Sequence, residues 1–137
     1  MKHTLLFLLM ICACTLQATA TGKQPRLTDD ELMTLVQKQT FRYFWDFAHP
    51  ESGLARERSN DRLEIATIGG SGFGVMAIIV GVERGFITRE QGAERLLKIV
   101  EFLNKADSYH GIWAHWMDGA TGKTIPFSRK DDGADLV

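Results

Sequence analysis

The stretch "FSRKDDGADLV", from Phe127 to Val137, brings three aspartates together: Asp131, Asp132 and Asp135. Carboxylates this close repel one another, so one of them is more readily kept protonated near neutral pH. Cleavage of a glycosidic bond needs two carboxyl groups in different protonation states. One donates a proton to the leaving oxygen, and the other activates water or attacks carbon. A charge run is also the ordinary composition of a solvated surface, and the aspartates alone do not decide between the two.

A second group lies just upstream. Trp113 and Trp116 flank His115 within "HGIWAHWMDGATGKTIPF". Indole faces stack on apolar planes, which sugar rings present; the alternative is that both rings close the core beneath a loop. His115 could act as a base, a metal ligand or a hydrogen-bond partner of substrate. His110 is its one near neighbour of that type, and a pair does not make a metal site. Earlier in the chain, Arg56 and Arg58 alternate with Glu57, either as a solvated run or as a rim of donors above a cleft for a polyhydroxyl ligand. "GGSGFG" (residues 69–74) invites a nucleotide reading and does not sustain it. The frame opened at Gly70 reaches Val75 where the third glycine belongs, no clear strand precedes it, and no Lys-Ser/Thr pair follows. Close packing at the start of a buried helix accounts for these glycines.

The elements that must position these residues are mostly helical. "TDDE" at Thr28 is a capping box, and Leu32, Leu35, Val36, Phe44 and Phe47 share one face of the helix it opens. That helix is expected to end near Phe47 or Ala48, before Pro50. A long, polar, arginine-rich loop follows. A second helix, near Gly70 to Gly85, is apolar nearly all round and so expected to be buried on both sides. A third opens with the capping box "TREQ" at Thr88 and runs to about Ala106, with Ala93, Leu96, Leu97, Val100 and Leu103 as its stripe, widened by Ile99 and Phe102. The segment around Asp118–Gly122 reads as a β-hairpin.

Four segments in order, "FRYFWDFAHPESGLARERS", "TIGGSGFGVMAIIVGVERGFITREQG", "HGIWAHWMDGATGKTIPFS" and "KDDGADLV", resemble the N-terminal part of the bacterial glucoamylase-like family, which includes endo-β-1,2-glucanases. The resemblance implies an all-α fold, part of an (α/α)6 toroid of two concentric helical rings with a hairpin-like excursion. It implies a cleft at one end of the ring and inverting hydrolysis of β-1,2-linked glucan by a glycoside hydrolase (EC 3.2.1.-). Asp135 matches the family's "ADLVE" aspartate, so it is expected to be catalytic; a glutamate three positions on would fall just beyond Val137. Arg58, Trp113, His115, Trp116, Asp131 and Asp132 are expected to bind substrate. The chain departs from the family at Glu57, where an aspartate-arginine pair is common, and at Ala114, where a proline is common. With only three helices and the start of a fourth, it is expected to be a truncated, inactive piece of an enzyme that is monomeric when complete.

The remaining features bear on setting. "MKHTLLFLLMICACTLQATATG" has the basic, apolar and small-residue layout of a secretory signal. Residues 1–20 are the expected leader, with cleavage after Ala20; the competing reading is a lipobox that leaves a lipid anchor at Cys14. Residues 21–27 then form a linker, and 28–137 the catalytic-domain portion. Export to the periplasm or the bacterial cell surface follows on either reading. Both cysteines of the chain lie in the leader, which excludes a disulfide framework or a thiol nucleophile in the remainder. With 16 basic and 17 acidic residues, no charge excess favours nucleic acid. No metal, cofactor or membrane span is expected. Two other functions fit the same residues: a non-catalytic carbohydrate-binding surface protein on this scaffold, and a glucosidase acting on another glucan linkage.

Overall fold

The computed structural model describes residues 26–60 and 62–126. Three helices carry it: α1 (Asp29–Trp45), α2 (Ile68–Glu83) and α3 (Arg89–Leu103). Four short strands, β1 (Ile65–Thr67), β2 (Ser108–Tyr109), β3 (Ile112–Trp113) and β4 (Trp116–Asp118), form two small sheets.

Each helix begins where its cap dictates. Thr28 and Glu31 close a reciprocal capping box on α1, and Thr88 with Gln91 does the same for α3. Thr67 caps α2, its hydroxyl accepting from the Gly70 amide at 3.2 Å. The end of α2 is a Schellman turn: Phe86 N–H donates to the Gly81 carbonyl and Gly85 N–H to that of Val82, with Gly85 at φ 69°. α1 stops at Trp45, short of the expected Phe47. There the Arg42 carbonyl accepts from both Asp46 and Phe47, and the chain turns off the helix axis ahead of Pro50.

The core gathers Phe41, Leu54, Ala66, Ile78, Ile87, Ile99 and Met117. It matches the expected stripes only in part. On α1, Phe41 is buried, while Leu32, Leu35 and Val36 are exposed. On α3, Ile99 is buried and Leu96, Phe102 and Leu103 pack against the core as expected, whereas Leu97 and Val100 are exposed. α2 is buried along Ser71, Gly74, Ile78 and Gly81 only; Phe73, Met76, Ile79 and Val80 are exposed on its other side. Glycines set the helix spacing. A Cβ on Gly81 would lie 2.4 Å from the Phe41 ring, and one on Gly92 would lie 2.7 Å from Val82.

The loop after α1, read as long, polar and arginine-rich, contributes to the core in its first half, whereas residues 58–60 and 62–64 are exposed. His49, Ser52, Leu54 and Ala55 are all buried. Strand β1 directly precedes α2, so a strand does lead into the glycine-rich segment, contrary to expectation. It is three residues long and pairs antiparallel with β4. Arg56 bridges to Ala66 on one flank of this pair, and Thr124 to Met117 on the other. The expected hairpin at Asp118–Gly122 therefore exists, but its first strand is held mainly by β1. A second, tighter hairpin joins β2 to β3 through His110 and Gly111, both at positive φ as a type I′ turn requires.

Candidate functional site

Strand β1 is the common support of the candidate residues. Thr67 N–H donates to the Ala55 carbonyl at 3.1 Å and Glu57 N–H to the Ile65 carbonyl at 2.9 Å, so residues 55–57 run along one edge of β1. β4 runs along the other, with Trp116 opposite Thr67, Met117 opposite Ala66 and Asp118 opposite Ile65. Ala66 and Met117 are buried in the core. Alternation along a strand then puts Trp116 and Asp118 on the opposite face.

His115 and Trp116 sit where β1 becomes α2. The His115 carbonyl accepts from Ile68 N–H at 3.0 Å. Its imidazole meets the Trp116 ring edge-on, with centroids 5.6 Å apart. Both side chains are half-buried.

At the other end of β1, Arg56 and Arg58 prove to have different jobs. Arg56 is a structural clip: Nε donates to the Phe47 carbonyl at 3.0 Å, Nη1 donates to the Leu63 carbonyl, and the guanidinium lies 5.0 Å from the Phe47 ring centroid. Tyr43 adds a bond from its hydroxyl to the Arg56 carbonyl at 3.0 Å. Burial, with the nearby Glu57 carboxylate second, raises the Tyr43 phenol above its ordinary pKa. Arg58 is held by Glu57 alongside it: Nε donates to Oε2 at 2.8 Å and Nη2 to Oε1.

Trp113 stands apart from this group. Its indole N–H donates to the Leu103 carbonyl at the end of α3, at 3.0 Å, and its ring packs against the core. Asp118 is engaged in its own turn, Oδ1 accepting from Ala120 N–H, Thr121 N–H and the Thr121 hydroxyl. Those bonds, that of the Thr121 hydroxyl first, hold its carboxyl below the usual aspartate range.

His49 was not singled out from the sequence, yet only 2% of it is exposed. Glu51 N–H donates to its Nδ1 at 3.3 Å, which leaves Nε2 to carry the proton and donate to Glu64 Oε2 at 3.0 Å. Gly119 lies against its ring, where a Cβ would come within 2.6 Å. Gly119 N–H also donates to the Glu64 carbonyl at 2.7 Å. His49 thus ties the entry of β1 to the exit of β4. A histidine directly before proline at the end of an aromatic helix was the only signal the sequence offered for it.

The structure therefore places His115 and Trp116 at the α2 end of the small sheet and Arg58 near its opposite end, while Trp113, in β3, is bonded to the end of α3. Asp131, Asp132 and Asp135 lie outside the described residues. Among the described residues, no group of three or more histidine, cysteine or carboxylate side chains is placed to hold a metal ion. Among them also, no helix is long and apolar enough to cross a membrane.

The chain is similar to several known proteins. The chain is 54% identical over 112 residues to an exo-β-1,2-glucooligosaccharide sophorohydrolase (non-reducing end) from Parabacteroides distasonis. It matches an endo-β-1,2-glucanase from Chitinophaga pinensis, solved with sophorotriose and glucose, at 55% identity and a TM-score of 0.76. The chain is a homologue of bacterial glucoamylase-like β-1,2-glucanases. A candidate glucoamylase from Bacteroides uniformis matches at 83% identity with a TM-score of 0.76. These matches cover 81%, 79% and 79% of the chain respectively. In turn the chain spans 16% of the sophorohydrolase, 28% of the C. pinensis structure and 27% of the B. uniformis structure. No protein-family model matches the chain.

Proposed function

We propose that this chain is the N-terminal part of an exported glycoside hydrolase that cleaves β-1,2-glucan. The observation that carries the reading is its 54% and 55% identity to two proteins that act on β-1,2-linked glucose, one of them solved with sophorotriose and glucose. The described helices would belong to an (α/α)6 ring. The exposed apolar sides of α1 and α2 would then be covered by helices of the longer polypeptide, since the chain spans little more than a quarter of the solved relatives.

In the proposed cleft, the β1–β4 sheet forms part of the rim. Trp116 offers an indole face to a glucose ring, while His115 and Arg58 offer hydrogen bonds to hydroxyls. Trp113, already engaged by α3, would meet sugar only with its outer edge. Asp131 and Asp132 bind hydroxyls or tune Asp135, and Asp135 assists the water or orients the acid. Inversion requires room for a water between the two carboxyl groups, which sit ~6.5–9.5 Å apart in such enzymes. Residues 1–20 direct export, ending either at Thr21 as the new N-terminus or at a lipidated Cys14.

The test is product analysis with the longer polypeptide carrying this chain, incubated with linear β-1,2-glucan and separately with starch. Sophoro-oligosaccharides released from the first, and nothing from the second, are expected. The name carried by the 83%-identical B. uniformis protein favours the alternative, a glucosidase acting on another linkage. Glucose release from starch would support that instead.

A further inference from the structure

The Glu57–Arg58 pair is asymmetric in a way that a surface ion pair is not. The Glu57 side chain is 12% exposed, whereas that of Arg58 is 54% exposed. A buried carboxylate is costly unless its lone pairs are satisfied, and here both oxygens accept from the same guanidinium. Glu57 is fixed at its backbone by the bond to Ile65, and it follows Arg56, which is itself pinned to Phe47 and Leu63. The support is rigid and withdrawn from water, and the group it supports is presented outward.

We propose that Glu57 is a positioning residue, setting the orientation in which the Arg58 guanidinium meets a glucan hydroxyl at the cleft rim. The inference rests on the β-1,2-glucan reading above and deepens it. A free arginine side chain has about 2 kcal/mol of rotamer entropy to lose on binding. A carboxylate that already grips its fork at Nε and Nη2 removes part of that loss before substrate arrives. Glu57 is thereby a specificity element: it fixes which hydroxyl direction the guanidinium can serve.

The experiment is a double-mutant cycle on KM in the longer polypeptide, with Glu57→Gln, Arg58→Ala and the pair, each also melted to record Tm. Glu57→Gln keeps the volume and weakens the charged grip. KM for β-1,2-glucan is expected to rise about tenfold, the size of one charge-assisted contact, with kcat nearly unchanged. In the Arg58→Ala background the same change is expected to do nothing further, because it acts through Arg58. Additive effects on KM, or an unchanged KM in Glu57→Gln while Arg58→Ala raises it, would overturn the positioning role. A fall in Tm that tracks the whole KM change would also overturn it, as a merely structural effect. Failure of the underlying reading is seen separately, as no cleavage of β-1,2-glucan by the unsubstituted protein.

Discussion

Single residues here divide by what already holds them. Trp113 and Trp116 look alike in sequence, but one indole N–H is bonded to the Leu103 carbonyl and the other ring sits on the sheet beside His115. No local pattern separates the two, because the distinction depends on where α3 ends. The same holds for His49, whose burial is created by Glu64 and Gly119, distant in sequence. His49→Ala leaves Glu51 N–H and Glu64 without their partner and opens a cavity, so urea unfolding is expected to show a loss of about 2–4 kcal/mol. Asp118 supplies a pH signature. Its folded pKa is depressed, so its contribution is present above the unfolded value of about 3.9 and is lost as pH falls through the folded one. The stability advantage of the unsubstituted protein over Asp118→Asn is expected to shrink below about pH 4, as read by unfolding at a series of acid pH values. Asp135→Asn in the longer polypeptide is expected to lower kcat by at least about a hundredfold, the lower range for lost acid–base assistance. Near-normal turnover would remove Asp135 from the mechanism.

At the scale of elements, the sequence was legible wherever the cause was local. Capping boxes at Thr28 and Thr88 and the glycine stop at Gly85 mark the helix starts and the end of α2 within a residue or two of where they lie. Helix faces were less legible. Of the α1 face that apolar spacing identified, Phe44 does meet α2 at Gly74, but Leu32, Leu35 and Val36 are exposed, and the buried contact is made by Phe41 seated over Gly81. Periodicity reports which residues are apolar, not which side finds a partner. Gly81→Ala tests the contact, because two effects oppose each other there. Alanine is favoured over glycine in a helix interior by roughly 0.5–1 kcal/mol, but its Cβ would meet a buried phenyl ring at 2.4 Å. Overpacking of that kind costs about 1–3 kcal/mol, so net destabilisation is expected on urea unfolding. A stabilised variant would mean that the Phe41 ring is free to move. The strands were the hardest to read, since β1 and β4 have three residues each. They exist by virtue of pairing across some fifty positions.

For the whole molecule, the informative feature is the apolar surface. Phe73 is 73% exposed and Met76 59%, and Leu32, Leu35 and Val36 of α1 are exposed as well. Exposed apolar area of this extent marks an interaction surface or an aggregation liability. Residues 21–137 expressed alone are therefore expected to bind a hydrophobic dye and to lack a sharp melt. A cooperative transition without dye binding would show that these faces need no cover. The mature N-terminus belongs to the same scale: mass spectrometry is expected to find either Thr21 or a diacylated Cys14, and an intact leader would refute export. Most directly, the central claim rests on what the longer polypeptide does to linear β-1,2-glucan. Release of sophoro-oligosaccharides with inversion at the new anomeric carbon, followed by NMR from the first minutes of reaction, is the predicted result. An intact polymer after prolonged incubation, with starch cleaved in its place, would contradict the account.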